Sequence, residues 1–425
     1  MRNYLESVEA AFHAYRKRAH RSFGFWWDGK LESKTSAQKT QSVEFQRQVS
    51  KQMRGLERQA FIGPIIVELE FWPSERNSAE VHSLAKHYLD LLHRPHPDSG
   101  VERKHLLFRD DSQIQYLTCI YNAAAEEGGM HIRARRLSDF FSDIALLREL
   151  ETGGLESEDE SWREELDTRD DADDRELSEY EDFRKRRPVL EQRWGREQYE
   201  RMEFIWKREA QLWLLRGRKP MLSELSAIFA PRFHRFKGHR EFKRLIEATS
   251  SMVRSIYQNT FLSMDFGPRA LAEGESNQFR DRVRAELNRA RGRNKLLFPL
   301  LAPCAVTILY LPPEKAIKVD LDNLARRFIV PGIHEILRPP ATARDFLEKI
   351  STGKGMDSRT RSMVERWRNA PKFHIAYYQI FCLPRIDKDP EKGNVRLLIH
   401  DGDRMKTSWK VLDAVLDKWA DSMKR

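Results

Sequence analysis

Two stretches 234 residues apart carry the same apolar rhythm, and this repeat limits the possible folds more than any other feature of the chain. Phe45, Val49, Met53 and Leu56 mark one face of a helix, and Phe279, Val283, Leu287 and Ala290 reproduce the spacing position for position. A strand ending at a proline follows each stripe. In IIVELEFWP, Val67, Leu69 and Phe71 alternate as in a half-buried strand; in AVTILYLP, Val306, Ile308 and Tyr310 do the same before Pro312. Leu84 and Tyr88 then match Leu324 and Phe328, and the strand IQYLTCIY from Ile114 resembles HIAYYQIF from His374. Turns at 126–129 and 389–394 lead to a further strand and a closing helix, near 137–150 and 408–419. The shared order of helix, strand, helix, strand, strand, helix predicts a duplicated α/β unit.

At 425 residues the chain exceeds one ordinary core, and the repeat suggests its divisions: a first copy at 1–155, an acidic linker at 156–183, a helical insert at 184–258 and a second copy at 259–425. Residues 156–182 hold fifteen Asp or Glu against three Arg. That local −12, set against a whole-chain charge of +10, leaves +22 on the remainder. The acidic stretch reads as a flexible, self-repelling linker, or as a DNA mimic shielding a basic surface. A remainder so positive suits a polyanionic partner, although Lys and Arg also simply solvate helix faces.

In the insert, Tyr199, Met202, Trp206 and Trp213 share a helical face and read as a core stripe. Further on, Arg232, Arg235, Lys237 and Arg240 interleave with Phe233, Phe236 and Phe242. This mixture suits phosphate contact with base stacking, or equally an amphipathic helix with buried rings. Cys119, Cys304 and Cys382 lack the paired spacing of a zinc site and are expected as small buried side chains in a reducing compartment. With no long apolar run and no signal-peptide core at the N-terminus, the expectation is a soluble, cytoplasmic protein without membrane contact.

Two acidic motifs carry the chemistry. After the strand of the second copy comes VDLDNLARR, with Asp320 and Asp322 one residue apart where a helix begins. Carboxylates placed so can converge on a hard divalent cation, and Arg326, about one turn on, would aim its charge at the same phosphate. Such a pattern can also be only a helix N-cap, made by Asp322 or Asn323. In the first copy, RDDSQI sets Asp110 and Asp111 before the strand from Ile114; that pair binds a cation or forms a solvated turn.

Together the motifs make the chain resemble the RusA-type Holliday-junction resolvases, which carry D-x-D-N-L-x-K on a helix and D-D-x-x-I entering the next strand. Asp320, Asp322, Asn323 and Leu324 match the first motif, with Arg326 at the family lysine; Asp110, Asp111 and Ile114 match the second. Each copy departs where the other conforms. The first has Glu80, His82 and Ser83 in place of the Asp, Asp and Asn, but keeps Lys86; the second has Pro371 and Lys372 in place of the acidic pair, after an insertion at about 338–370.

The resemblance implies two tandem RusA-like α/β domains forming a pseudo-dimer, either monomeric as such or part of a higher assembly. It also implies binding of branched or duplex DNA and Mg²⁺ (or Mn²⁺) held by Asp110, Asp111, Asp320 and Asp322 for hydrolysis at a branched junction, with a place in recombination or repair. Lys86, Arg326 and Arg327 are expected at phosphates. Three functions follow: DNA binding with cleavage compromised by the split motifs, an active structure-specific endonuclease, or a scaffold whose helical insert takes a protein partner. An active site would be either Glu80, His82, Asp110 and Asp111 within the first copy, where histidine favours Mn²⁺ or zinc, or a composite of the two aspartate pairs. The composite requires the copies to exchange elements.

Overall fold

The structure, a computed structural model, describes residues 7–74, 79–123, 128–151, 175–215, 260–268, 275–295, 297–312, 320–340, 374–383, 393–402 and 407–423, with isolated positions at 347, 358, 361 and 362. Both repeats contribute to one mixed eight-stranded sheet. Its strands are β1 (Phe23–Trp27), β2 (Ile65–Trp72), β3 (Ile114–Tyr121), β4 (Gly129–Arg136), β5 (Leu262–Asp265), β6 (Cys304–Leu311), β7 (Ile375–Cys382) and β8 (Asn394–Asp401). They lie in the order β1-β4-β2-β3-β7-β6-β8-β5.

The register repeats as well as the order. β2 runs parallel to β3 and antiparallel to β4, while β6 runs parallel to β7 and antiparallel to β8. The same slip occurs at the first step of each parallel pair: Ile65 faces Ile114 but Ile66 faces Tyr116, and Cys304 faces Ile375 but Ala305 faces Tyr377. The halves join through the antiparallel pair β3–β7, where Thr118 stands opposite Gln379; each is the fifth residue of its strand. Gln379 donates to Thr307 Oγ1 at 2.8 Å and its carbonyl oxygen accepts from Tyr116 at 3.1 Å, so the buried Gln379 amide is satisfied from both halves. The outermost strands, β1 and β5, are five and four residues long, too short to leave a periodic trace in the sequence.

Helices cover both faces. One face carries α2 (Lys39–Gly55), α3 (Val81–His93), α8 (Glu275–Arg293) and α9, a helical run over 321–337. The two repeated stripes end here: Phe45, Val49 and Met53 of α2 and Phe279, Val283, Leu287 and Ala290 of α8 are buried in one core with Val67, Leu69, Val306 and Ile308. The opposite face packs α1 (Val8–His20), α4 (Leu137–Glu151) and α10 (Ser408–Ser422) against Ile66, Tyr116, Leu309, Phe381 and Leu398.

β2 and β6 are therefore buried on both sides rather than half-buried as their alternation suggests. The polar residues of β2 survive burial because they are paired. Glu68 accepts from Arg133 Nε and from Thr407, both at 3.0 Å, and Arg133 also reaches Asp413 at 2.8 Å. Glu70 is bound by Asn122 and Lys410. Arg135 and Arg18 close on Asp143, whose burial pushes its carboxyl up to about 6 against the pull of both guanidiniums. Because Thr407, Lys410 and Asp413 come from the α10 end of the chain, this network ties the first half of the sheet to the second.

α9 opens as Leu321–Leu324 and passes through two π-helical turns, Ala325–Ile329 and Ile333–Leu337, joined by Val330–Gly332. Pro331 lies in the join and cannot donate a main-chain hydrogen bond. Gly332 faces α8 so closely that a Cβ would stand 2.9 Å from Leu287 Cδ1.

Helices α5 (Arg175–Lys185), α6 (Arg187–Trp194) and α7 (Arg196–Leu215) bury Phe183, Leu190 and Tyr199 with Met202 and Trp206 packed against them, the core role their spacing suggests. α5 begins within the stretch read as linker. Most of that stretch, and Arg232, Arg235, Lys237 and Arg240, lie outside the described residues. α7 docks on the second half through Gln211, which donates to Pro299 O at 2.9 Å and accepts from Leu301 N at 2.6 Å. The three cysteines are buried and none is in a disulfide among the described residues. Among the described residues no helix is long and apolar enough to cross a membrane.

Candidate metal centre between the two halves

α3 and the start of α9 lie side by side over β3, and the side chains at this crossing come from both halves of the chain. Asp111 opens a short 3₁₀ turn just before β3; Asp320 is the N-cap of α9 and Asp322 lies in its first turn. One carboxylate oxygen from each falls within 4.8 Å of the others. This gathering is what a hard cation with oxygen ligands needs, and it is the composite arrangement of Asp111 with Asp320 and Asp322. The halves do not exchange whole elements to make it: the β3–β7 junction brings α9 over the first half's β3.

The N-cap alternative does not describe these aspartates. Asp320 holds the cap position, yet its side chain makes no capping hydrogen bond; it accepts from Asn323 Nδ2 at 2.5 Å instead, which orients it. Both oxygens of Asp322 are buried without a hydrogen bond, as is Oδ1 of Asp111. Buried carboxylate oxygens left so are costly unless a cation serves them.

Lys86 of α3 serves them here. Its ammonium lies 3.5 Å from Asp322, 3.6 Å from Asp320 and 3.8 Å from Asp111, and Asp90 one turn on steadies it at 2.9 Å. Burial disfavours the charged lysine, but Asp322, Asp90 and Asp320 outweigh it and raise its pKa. One lysine does not neutralise three acids. Burial, then the charge of Asp320, lifts the Asp111 carboxyl to about 6, and burial with the crowding Asp320 pushes Asp322 upward despite Lys86. Three carboxylates converging in a half-closed site could hold a divalent ion.

The remaining expected residues are placed elsewhere. Asp110 points back into its own turn, accepting from Ser112 N at 2.9 Å in a capping box with Gln113, and it is not part of the triad. Glu80 and His82 do not join Asp110 and Asp111 in a first-copy site; Glu80 pairs with His82 at 3.3 Å and with His334 of α9 at 3.2 Å. Arg326 approaches Asp320 through Asn323. It donates to Asn323 at 3.1 Å and its charge acts on His82. The π winding at 325–329 puts more than four residues in a turn, so Arg326 does not stack over Asp322 as an α-helix would have it. Arg327 is exposed. Pro371 and Lys372 lie outside the described residues.

Sequence reasoning passed over Asp90, His93, His334 and His374. Lys86 and Asp90 form an i, i+4 pair that was visible in the sequence. His93, whose Nδ1 lies 4.0 Å from Asp111 Oδ1, left no such signal. Comparison of the chain with protein-family models, curated proteins and solved structures returns no match.

Proposed function

We propose that this chain is a tandemly duplicated, RusA-like pseudo-dimer that binds branched or duplex DNA and hydrolyses it at one composite metal site. The observation that carries the reading is the convergence of Asp111 from one half with Asp320 and Asp322 from the other. The duplication is supported by the repeated strand order, the repeated register slip and the central Thr118–Gln379 pair. The positive charge left outside the acidic stretch supports a polyanionic ligand.

In this reading Asp111, Asp320 and Asp322 hold Mg²⁺ or Mn²⁺. Such an ion, when bound, lowers the pKa of water and neutralises charge on phosphorus. Asn323 fixes Asp320 by its hydrogen bond. Lys86, held by Asp90, supplies a cation to a non-bridging phosphate oxygen, where it stabilises charge that grows during attack. The other member of the pair of sites carries Glu80 and His82 at the places of Asp320 and Asp322, so a four-way junction would meet one acidic centre rather than two.

The test is incubation with a four-way junction and with linear duplex in Mg²⁺ and in Mn²⁺. The expected result is nicking of the junction that disappears in Asp111→Asn and equally in Asp322→Asn. Tight junction binding with no cleavage under either metal would sink the hydrolytic part. It would leave junction binding alone, the reading that Lys86 seated among the carboxylates favours.

A further inference from the structure

The loop from α3 toward β3, residues 94–109, folds into a basic cleft beside the acidic centre, and the metal-hydrolysis reading makes no use of it. Gln46 of α2 pins the loop, donating to Leu91 O at 2.8 Å and Arg94 O at 2.9 Å and accepting from His96 N at 2.6 Å. Gly100, at φ 65°, turns the chain back, and Leu106 N bonds His93 O at 3.1 Å. The return lays the His105 ring on His93, centroids 5.8 Å apart and 9° from parallel, while His93 lies 4.0 Å from Asp111. The cleft has a volume of about 510 Å³, and its lining includes Arg94, His96, Gly100, Glu102, Arg103 and Lys104. Arg94 and Lys104 are the chain neighbours of the two stacked rings that lead to the acidic centre.

We propose that this cleft seats a backbone phosphate of the DNA strand beside the acidic centre, with Arg94 and Lys104 as its cations. The inference rests on the DNA reading above and names a place where that ligand is held. Arg94 and Lys104 are exposed, and among the described residues neither has a carboxylate within ion-pair reach; nor do Arg54 and Arg109 close by. The guanidiniums behind them are engaged by main-chain carbonyls instead of acids, Arg103 by Arg58 O and Arg58 by Arg21 O and His20 O. Of the two acids in the loop, Asp98 is held by Lys39, which leaves Glu102 against Arg94, Arg103, Lys104 and Arg109.

Like charges held together on a pinned loop repel one another, and an anion between them relieves the repulsion. Burial first, then His93, Lys104, Arg94 and Arg109, holds the His105 imidazole below its usual pKa, so all of these groups lie within electrostatic reach of one ring. A phosphodiester suits the pair that lines the cleft: Arg94 offers a planar fork to two oxygens and Lys104 a mobile point charge. The lining has no Phe, Tyr or Trp on which a base would stack, so the contact is with the backbone and independent of sequence. The volume admits a nucleotide unit, and a cleft open to solvent lets a polymer pass.

The test measures binding of a four-way junction and of a linear duplex to the full chain by fluorescence anisotropy, in chelator and across a salt series. Arg94→Gln with Lys104→Gln should weaken binding and reduce the slope of log K against log salt by about 2, since each lost phosphate contact removes about 0.9. Lys185→Gln with Arg196→Gln, an equal loss of charge from exposed positions on α5 and α7, should leave the slope unchanged. An unchanged slope in the first variant, or an equal fall in the second, overturns the proposal and leaves the metal-site reading standing, because no metal takes part. Failure of the wild type to bind either DNA overturns the DNA reading and this proposal together. Orthophosphate at matched ionic strength should displace DNA no better than chloride does; displacement shown by the wild type alone would assign the cleft to free phosphate and overturn the proposal. Lys104→Cys carrying a photoactivatable azide, in a chain whose own cysteines are buried, should crosslink to the junction, and no crosslink overturns the proposal as well.

Discussion

Replacing Asp111 by Asn should stabilise the metal-free protein. The carboxyl of Asp111 is lifted from an ordinary 3.8 to about 6, by burial first and by Asp320 second. An acid whose pKa is higher in the folded state binds its proton more tightly there, so its contribution to stability falls as pH rises between those values. The penalty is absent below about 4, grows to about 6 and is constant above. A displacement of this size corresponds to about 3 kcal/mol, and partial exposure of the side chain reduces that to about 2 kcal/mol. Asn keeps the shape and discards the charge. Urea unfolding with chelator present should therefore show Asp111→Asn more stable than wild type by about 2 kcal/mol at pH 7.5, with the difference vanishing near pH 4. Mn²⁺ should reverse the order by stabilising wild type alone. A variant no more stable than wild type at pH 7.5, or a difference unchanged at pH 4, would refute the reasoning.

Lys86→Gln should do the opposite in chelator, destabilising by about 3 kcal/mol at pH 7.5 because three acids lose their shared cation. The aspartates it faces have raised pKa values and take up protons as pH falls, so this loss should be smaller at pH 6 than at pH 8 in urea titrations. Glu68→Ala strips Arg133 of its buried partner in the network that joins the halves and should cost about 3 kcal/mol by the same measurement. Gly332→Ala should lower stability by about 1 to 3 kcal/mol, since the added methyl meets Leu287, and in calorimetric melting the same change should cost less in a Leu287→Ala background than in wild type. Junction binding should weaken steeply between low and physiological salt; affinity indifferent to salt would contradict phosphate contact.

The repeat was legible because α2 and α8 bury matching residues against the same face of the sheet, and a buried helical stripe keeps its period whatever fills the positions between. The edge strands β1 and β5 were not, being too short for alternation to show. Nor was the double-sided burial of β2, since Glu68 and Glu70 read as solvent-facing until Arg133, Asn122 and Lys410 arrive from distant positions to pair them. At the site, the residue types of Asp111, Asp320, Asp322 and Lys86 were visible as motifs, but the choice between a first-copy site and a composite of the two acidic pairs was not. It depends on the pairing of β3 with β7, and strand pairing between distant segments leaves no local mark. His334 and His374 were missed for a related reason: each is a lone histidine in apolar sequence, and only the packing of α9 beside α3 and β7 gives them company.

The central claim is that one divalent ion is shared by carboxylates from the two halves. Anomalous diffraction from Mn²⁺-soaked crystals tests it most directly. A single manganese peak should lie within bonding distance of Asp111, Asp320 and Asp322, with the Lys86 ammonium moved off the triad. A manganese peak bound only by residues of one half, or Lys86 still seated among the three aspartates at saturating Mn²⁺, would contradict it.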